Sequence, residues 1–137
     1  VVHLQRTERA PAALAARLGL ATGAKVFHTL IVHHDNGVPL QCEDRYVNPA
    51  CSPGYLQADF TRTTPTQVLF DTTALWRAQY AIAAEPATAD EARLLGIAPG
   101  TACLVVTRST YTRDATITLA RLVHPGTRYL LHGEFQP

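Results

Sequence analysis

The sequence predicts an α+β fold in which helices flank a mostly antiparallel sheet. Three observations lead there. A β-branched run, "VFHTLIVHH", is joined to "VPLQCEDRYVN" by Asp-Asn-Gly, and Asn-Gly favours the primed turns that match strand twist. A second pair of such runs, "ACLVVTRSTYTR" and "TITLARLVH", flanks Asp114. Helical patterns fall between the strands rather than in a separate block, so strands paired by hairpins dominate the topology.

The elements follow in order. "VVHLQRTERA" alternates loosely and reads as a first strand with Val2 and Leu4 on one face. Pro11 opens a helix whose Leu14 and Leu18 share an apolar side, and Gly19 closes it. The first hairpin follows. A turn-rich stretch holds a short helical piece between Gly54 and Asp59. Thr64 then caps a helix that begins at Pro65. "ALWRAQYAIAAE" reads as a strand weakened by alanine. Thr88 caps the next helix, Glu91 stands where a capping box needs it, and Gly96 ends it. After the second hairpin, "TRYLLHGEF" predicts a final short strand.

The chain has 137 residues, 47% hydrophobic and 17% charged, with a formal net charge of +1. That describes one domain large enough to bury a core. Apolar runs are too short to span a bilayer, and a near-neutral balance argues against gripping phosphates directly. Cys42, Cys51 and Cys103 are odd in number and lie in no metal register, which is expected of reduced thiols in a cytoplasmic protein. The chain opens at Val1 and contains no methionine, which suggests a portion of a longer protein.

The second strand of the first hairpin raises the functional question. Strand parity puts Gln41, Glu43 and Arg45 on one face, and Cys42, Asp44 and Tyr46 on the other. Charges do not enter a sheet face without partners. Glu43 and Arg45, about 7 Å apart along the strand, either hold a ligand or form a structural ion pair with a neighbouring strand. Asp44 is expected on the outer face, against a helix or another subunit. His33 and His34 point to opposite faces, and His28 falls on the face away from His33, so no metal is expected. No nucleophile elbow, phosphate cradle or acid/base pair assembles, so no catalytic residue is expected.

"VHHDNGVPLQCEDRYVNPACSPGYLQADFTRTTP", "EARLLGI", "CLVVTRSTY" and "ARLVHPGTRYLLHGEF" resemble the UTRA effector-binding domain of GntR-type regulators, in its histidine-utilization repressor (HutC) branch. The resemblance runs from about Ala10 to Phe135. It implies a chorismate-lyase-like sheet with the effector between sheet and helices, and a homodimer. It also implies that DNA is bound only through an N-terminal winged helix-turn-helix domain that this chain lacks. Residues matching the family's sugar-phosphate pocket are His33, Glu43, Thr64, Thr118 and His124. His33 replaces an arginine and Thr118 an acid, which disfavours a phosphosugar. The branch implies urocanate, a flat imidazole acid, or a related histidine breakdown product. Glu43 is then expected to accept from the imidazole N–H, and Arg45 or Thr64 to hold the carboxylate. His33 and His124 would line the site, with Arg108 and Tyr129 as further candidates. No cofactor is implied. An enzyme of the chorismate-lyase kind and a ligand-free dimerisation module are the competing classes.

Overall fold

The computed structural model describes residues 1–137 as a six-stranded antiparallel sheet in the order β1-β2-β3-β6-β5-β4. The strands are β1 (Val2–Arg9), β2 (Lys25–Asp35), β3 (Val38–Val47), β4 (Arg77–Pro86), β5 (Ala102–Tyr111) and β6 (Thr116–Pro125). Three short helices, α1 (Ala12–Arg17), α2 (Pro65–Thr72) and α3 (Ala89–Leu95), and a 3-10 turn at Tyr55–Gln57 lie on its faces.

Local signals hold where they are strongest. Asn36 and Gly37 take positive φ (48° and 77°), the primed geometry that the Asn-Gly pair predicts. Thr64 accepts a hydrogen bond from Gln67 N–H at the start of α2. Thr88 and Glu91 form the full capping box of α3, and Gly96 closes that helix at φ 63°.

Each face of the sheet packs its own core. On one, Ile31, Val47, Tyr55, Phe60, Leu69 and Ile117 join the sheet to α2 and the 3-10 turn. On the other, Val26 and Leu119 pack against Ala15 and Leu18 of the α1 region, and Val32, Cys42, Cys103, Val105 and Val123 pack against Leu95 of α3. The three thiols are free, and burial pushes the Cys42 thiol up to about 12.

Three expectations need correction. A bulge between Val2 and Leu4 sets Val2 opposite Ile31 but Leu4 opposite Leu30, so the two face opposite ways. Within the chain, Asp44 pairs not with a helix but with His28 of the adjacent strand, Oδ1 to Nε2 at 2.5 Å. The segment after Gly126 forms no strand. The chain leaves β6 through a turn closed by Arg128 N–H on the Pro125 carbonyl, which carries Tyr129 onto the His124 ring instead of into the sheet.

Candidate ligand-binding site

Strand pairing brings the polar residues of three distant segments together on the α2 face. Antiparallel registry sets His33 opposite Gln41, Glu43 opposite Leu122, and Arg45 opposite Ala120. Parity then aligns His33, Gln41, Glu43 and Arg45 on one surface with His124, the side chain that meets Gln41. A cavity of about 370 Å³ stands over this wall. Its lining is His33, Leu40, Gln41, Glu43, Thr64, Thr66, His124 and Tyr129.

Glu43 is the electrostatic centre. Its Oε1 accepts from His33 Nε2 at 2.9 Å and its Oε2 from Arg45 Nε at 2.8 Å. Burial works to raise its carboxyl, but the His33 hydrogen bond and the Arg45 charge outweigh it and hold the group below its ordinary 4.5. An ionised Glu43 accepts only, so His33 Nε2 carries a proton and its Nδ1 faces elsewhere.

His124 is also fixed. Its Nδ1 donates to the Leu104 carbonyl at 3.1 Å, and its Nε2 lies 2.9 Å from the side-chain nitrogen of Gln41. Burial first, and the Arg108 charge after it, outweigh the Leu104 hydrogen bond and lower its pKa from 6.5, so the ring is neutral. The Tyr129 ring stacks on it with centroids 4.1 Å apart. Arg128 holds that segment down by donating to the carbonyls of Leu95 (2.7 Å) and Pro39 (3.1 Å).

The start of α2 closes the cavity. Pro65 has no N–H, Gln67 N–H bonds the Thr64 hydroxyl, and Val68 N–H bonds the Thr64 carbonyl. Thr66 therefore holds the first-turn amide without an intrahelical partner, where a helix favours an anion.

Five of the eight residues expected from the sequence, His33, Glu43, Thr64, His124 and Tyr129, line this cavity. Arg45 and Arg108 line a smaller one of about 50 Å³ under α2, joined to the first through Thr66. Arg45 is only 2% exposed; beyond Glu43 it makes long contacts to Thr118 (3.4 Å) and Thr66 (3.5 Å). Thr118 lies behind it, wholly buried and bonded to Thr110. Leu40, Gln41 and Thr66, which the sequence did not single out, complete the lining. Parity had set Gln41 on the right face, but a neutral amide gave no signal beside two charges.

The UTRA domain family profile matches residues 1–130. The histidine utilization repressor of Pseudomonas putida is 45% identical over 128 residues, 93% of this chain and 52% of that protein. That of Klebsiella aerogenes is 41% identical over 135 residues, 98% and 56% respectively. The chain thus spans about half the length of these curated relatives. Among solved structures, the C-terminal domain of the histidine utilization repressor from Pseudomonas syringae pv. tomato superposes with TM-score 0.96 at 40% identity, covering 100% of this chain and 97% of that one. The effector domain of PhnF from Mycobacterium smegmatis shares the fold, with TM-score 0.87 at 23% identity and coverage of 100% and 86%. With a profile reaching nearly end to end and relatives above 40% identity over almost the whole chain, this protein belongs to the UTRA domain family, alongside the histidine utilization repressors.

Proposed function

We propose that this chain is the effector-sensing, non-catalytic domain of a transcriptional repressor of histidine utilization, and that the cavity over β3 binds urocanate or a closely related imidazole acid. The observation that carries the reading is the polarity of the cavity. Imidazoles and an amide, His33, Gln41 and His124, line it from the sheet, and Thr64 and Thr66 line it from the start of α2, where the Thr66 amide has no intrahelical partner. A flat ligand with a ring N–H at one end and a carboxylate at the other matches that arrangement. The names of the relatives support the same biological setting.

The unit that responds is a homodimer whose DNA-binding heads lie outside this chain, and it works in the cytoplasm. Every residue of the edge strand β4 is exposed, and Tyr80 and Ile82 among them are large and apolar. An unprotected edge of this kind invites another strand. Its sequence is self-complementary: in antiparallel pairing centred on Ala81, Arg77 meets the second copy's glutamate at position 85, and Tyr80 meets its isoleucine at position 82. Ligand binding shifts the dimer between arrangements by differential affinity, which changes the spacing of the heads and releases the operator.

Calorimetric titration tests the ligand, using urocanate with histidine and N-acetylglucosamine 6-phosphate as controls, repeated on Glu43→Gln. Selective urocanate binding that weakens in the variant is expected. Preference for the sugar phosphate overturns the reading.

A further inference from the structure

The tautomer of His124 dictates which way Gln41 points, and Gln41 in turn dictates what the cavity can accept. Because Nδ1 of His124 must donate to the Leu104 carbonyl, the neutral ring presents a bare lone pair at Nε2. The group 2.9 Å away is the Gln41 side-chain amide, and only its NH2 end can donate to that lone pair. The amide orientation therefore follows from chemistry and is not a free choice. Its carbonyl oxygen turns away from His124 and takes no hydrogen bond from the protein, in a residue that lines the cavity.

Gln41 is also the cross-strand partner of His33, on the same face. His33 uses Nε2 to donate to Glu43, which fixes the ring beside the Gln41 amide. Both oxygens of Glu43 already hold protein donors. Glu43, its side chain only 5% exposed, orients His33, and the acceptor on this wall that has no protein donor is Gln41 Oε1.

We propose that Gln41 is a specificity-determining residue whose carbonyl oxygen accepts the ring N–H of the effector, selecting an azole acid over flat carboxylates that lack a ring donor. The assignment rests on the cavity being the effector site proposed above. It adds a requirement: one end of the ligand must donate, because an acceptor there would face the Gln41 carbonyl oxygen.

The test is calorimetric titration of the chain with urocanate and with furanacrylate, which keeps the flat ring and conjugated carboxylate but carries no N–H. Both ligands are measured on the wild type and on Gln41→Met, which has similar volume and no acceptor oxygen. The wild type is expected to prefer urocanate by about tenfold. In Gln41→Met the urocanate affinity falls until the two are nearly equal, while furanacrylate binds as before, which also shows that the cavity remains folded. Equal affinities in the wild type, an unchanged preference in Gln41→Met, or parallel loss of both ligands there would overturn the role of Gln41 alone. Failure of the wild type to bind urocanate at all overturns this role and the effector reading together.

Discussion

Arg45 donates from Nε to Oε2 of Glu43 at 2.8 Å, with side chains only 2% and 5% exposed. A carboxylate and a guanidinium two residues apart on one strand have thus bent toward each other and left solvent. Desolvating both is costly, and the pair persists because His33, Thr118 and Thr66 take up further hydrogen-bonding capacity. The two alternatives open at the sequence level are therefore not exclusive. The ion pair is structural, and it also builds the wall of the cavity.

Removing one partner strands the other charge. Arg45→Met is expected to destabilise the chain by about 3–5 kcal/mol, read by urea denaturation. Combining it with Glu43→Gln should restore part of that loss, because no buried charge then remains. Equal or greater destabilisation in the double variant would show that the pair's contacts, not its charge balance, set the cost.

A pH dependence belongs to His28 on the opposite face. Its Nδ1 meets Glu8 at 2.8 Å and its Nε2 meets Asp44, while the ring stacks on Tyr46 at 4.1 Å; Arg6 in turn binds Glu8. Burial pulls its pKa down, but the hydrogen bonds and charges of Asp44 and Glu8 outweigh it and raise the value above 6.5. A raised pKa means that the folded state holds the proton more tightly. The stabilisation is full below the unfolded value of about 6.5 and is lost as pH climbs through the folded one. Thermal melts from about pH 6 to pH 9 should show this decline in the wild type, and a flatter curve in His28→Gln.

Gly126 sits where β6 leaves the sheet. A Cβ there would lie 2.8 Å from the Ala102 carbonyl oxygen, which accepts from Gly126 N–H at 2.9 Å. Gly126→Ala must move one backbone against the other and is expected to cost about 1–3 kcal/mol. Because Arg128 and Tyr129 follow directly, the displacement should also weaken ligand binding. A variant with lowered melting temperature and unchanged urocanate affinity would separate the turn from the site.

The proposed dimer makes a charge-reversal prediction. Arg77→Glu or Glu85→Arg alone places like charges opposite each other at both ends of paired β4 strands and should shift the chain toward monomer. The double variant restores complementarity and should recover the dimer, read by analytical ultracentrifugation. Dimers that survive both single changes would place the interface elsewhere.

Much of the fold was legible because its signals are short-range. Asn36-Gly37, the Thr64 and Thr88 caps and the parity of Gln41, Glu43 and Arg45 each depend on a few consecutive residues. The errors occurred where a local pattern met a long-range constraint. "TRYLLHGEF" reads as a strand, but the turn between Pro125 and Arg128 carries it off the sheet, where Tyr129 stacks on His124. His3 at the start of β1 sits in a bulge that no composition rule marks. Asp44 carried the correct face, but its partner within the chain is His28 and not a helix, since that neighbour depends on hairpin register.

The sequence by itself determined the hairpins, the helix boundaries and the face on which the charged side chains of β3 would lie, because turn chemistry, capping and the two-residue strand period act within a single segment. Only the tertiary structure decided that β6 lies beside β3, that His124 meets Gln41 across 83 positions of chain, and that Arg45 turns inward behind Glu43 while Tyr129 closes over the ring. Those relationships arise from strand order and packing, in which the favourable contacts exist only once segments distant in sequence have been brought together.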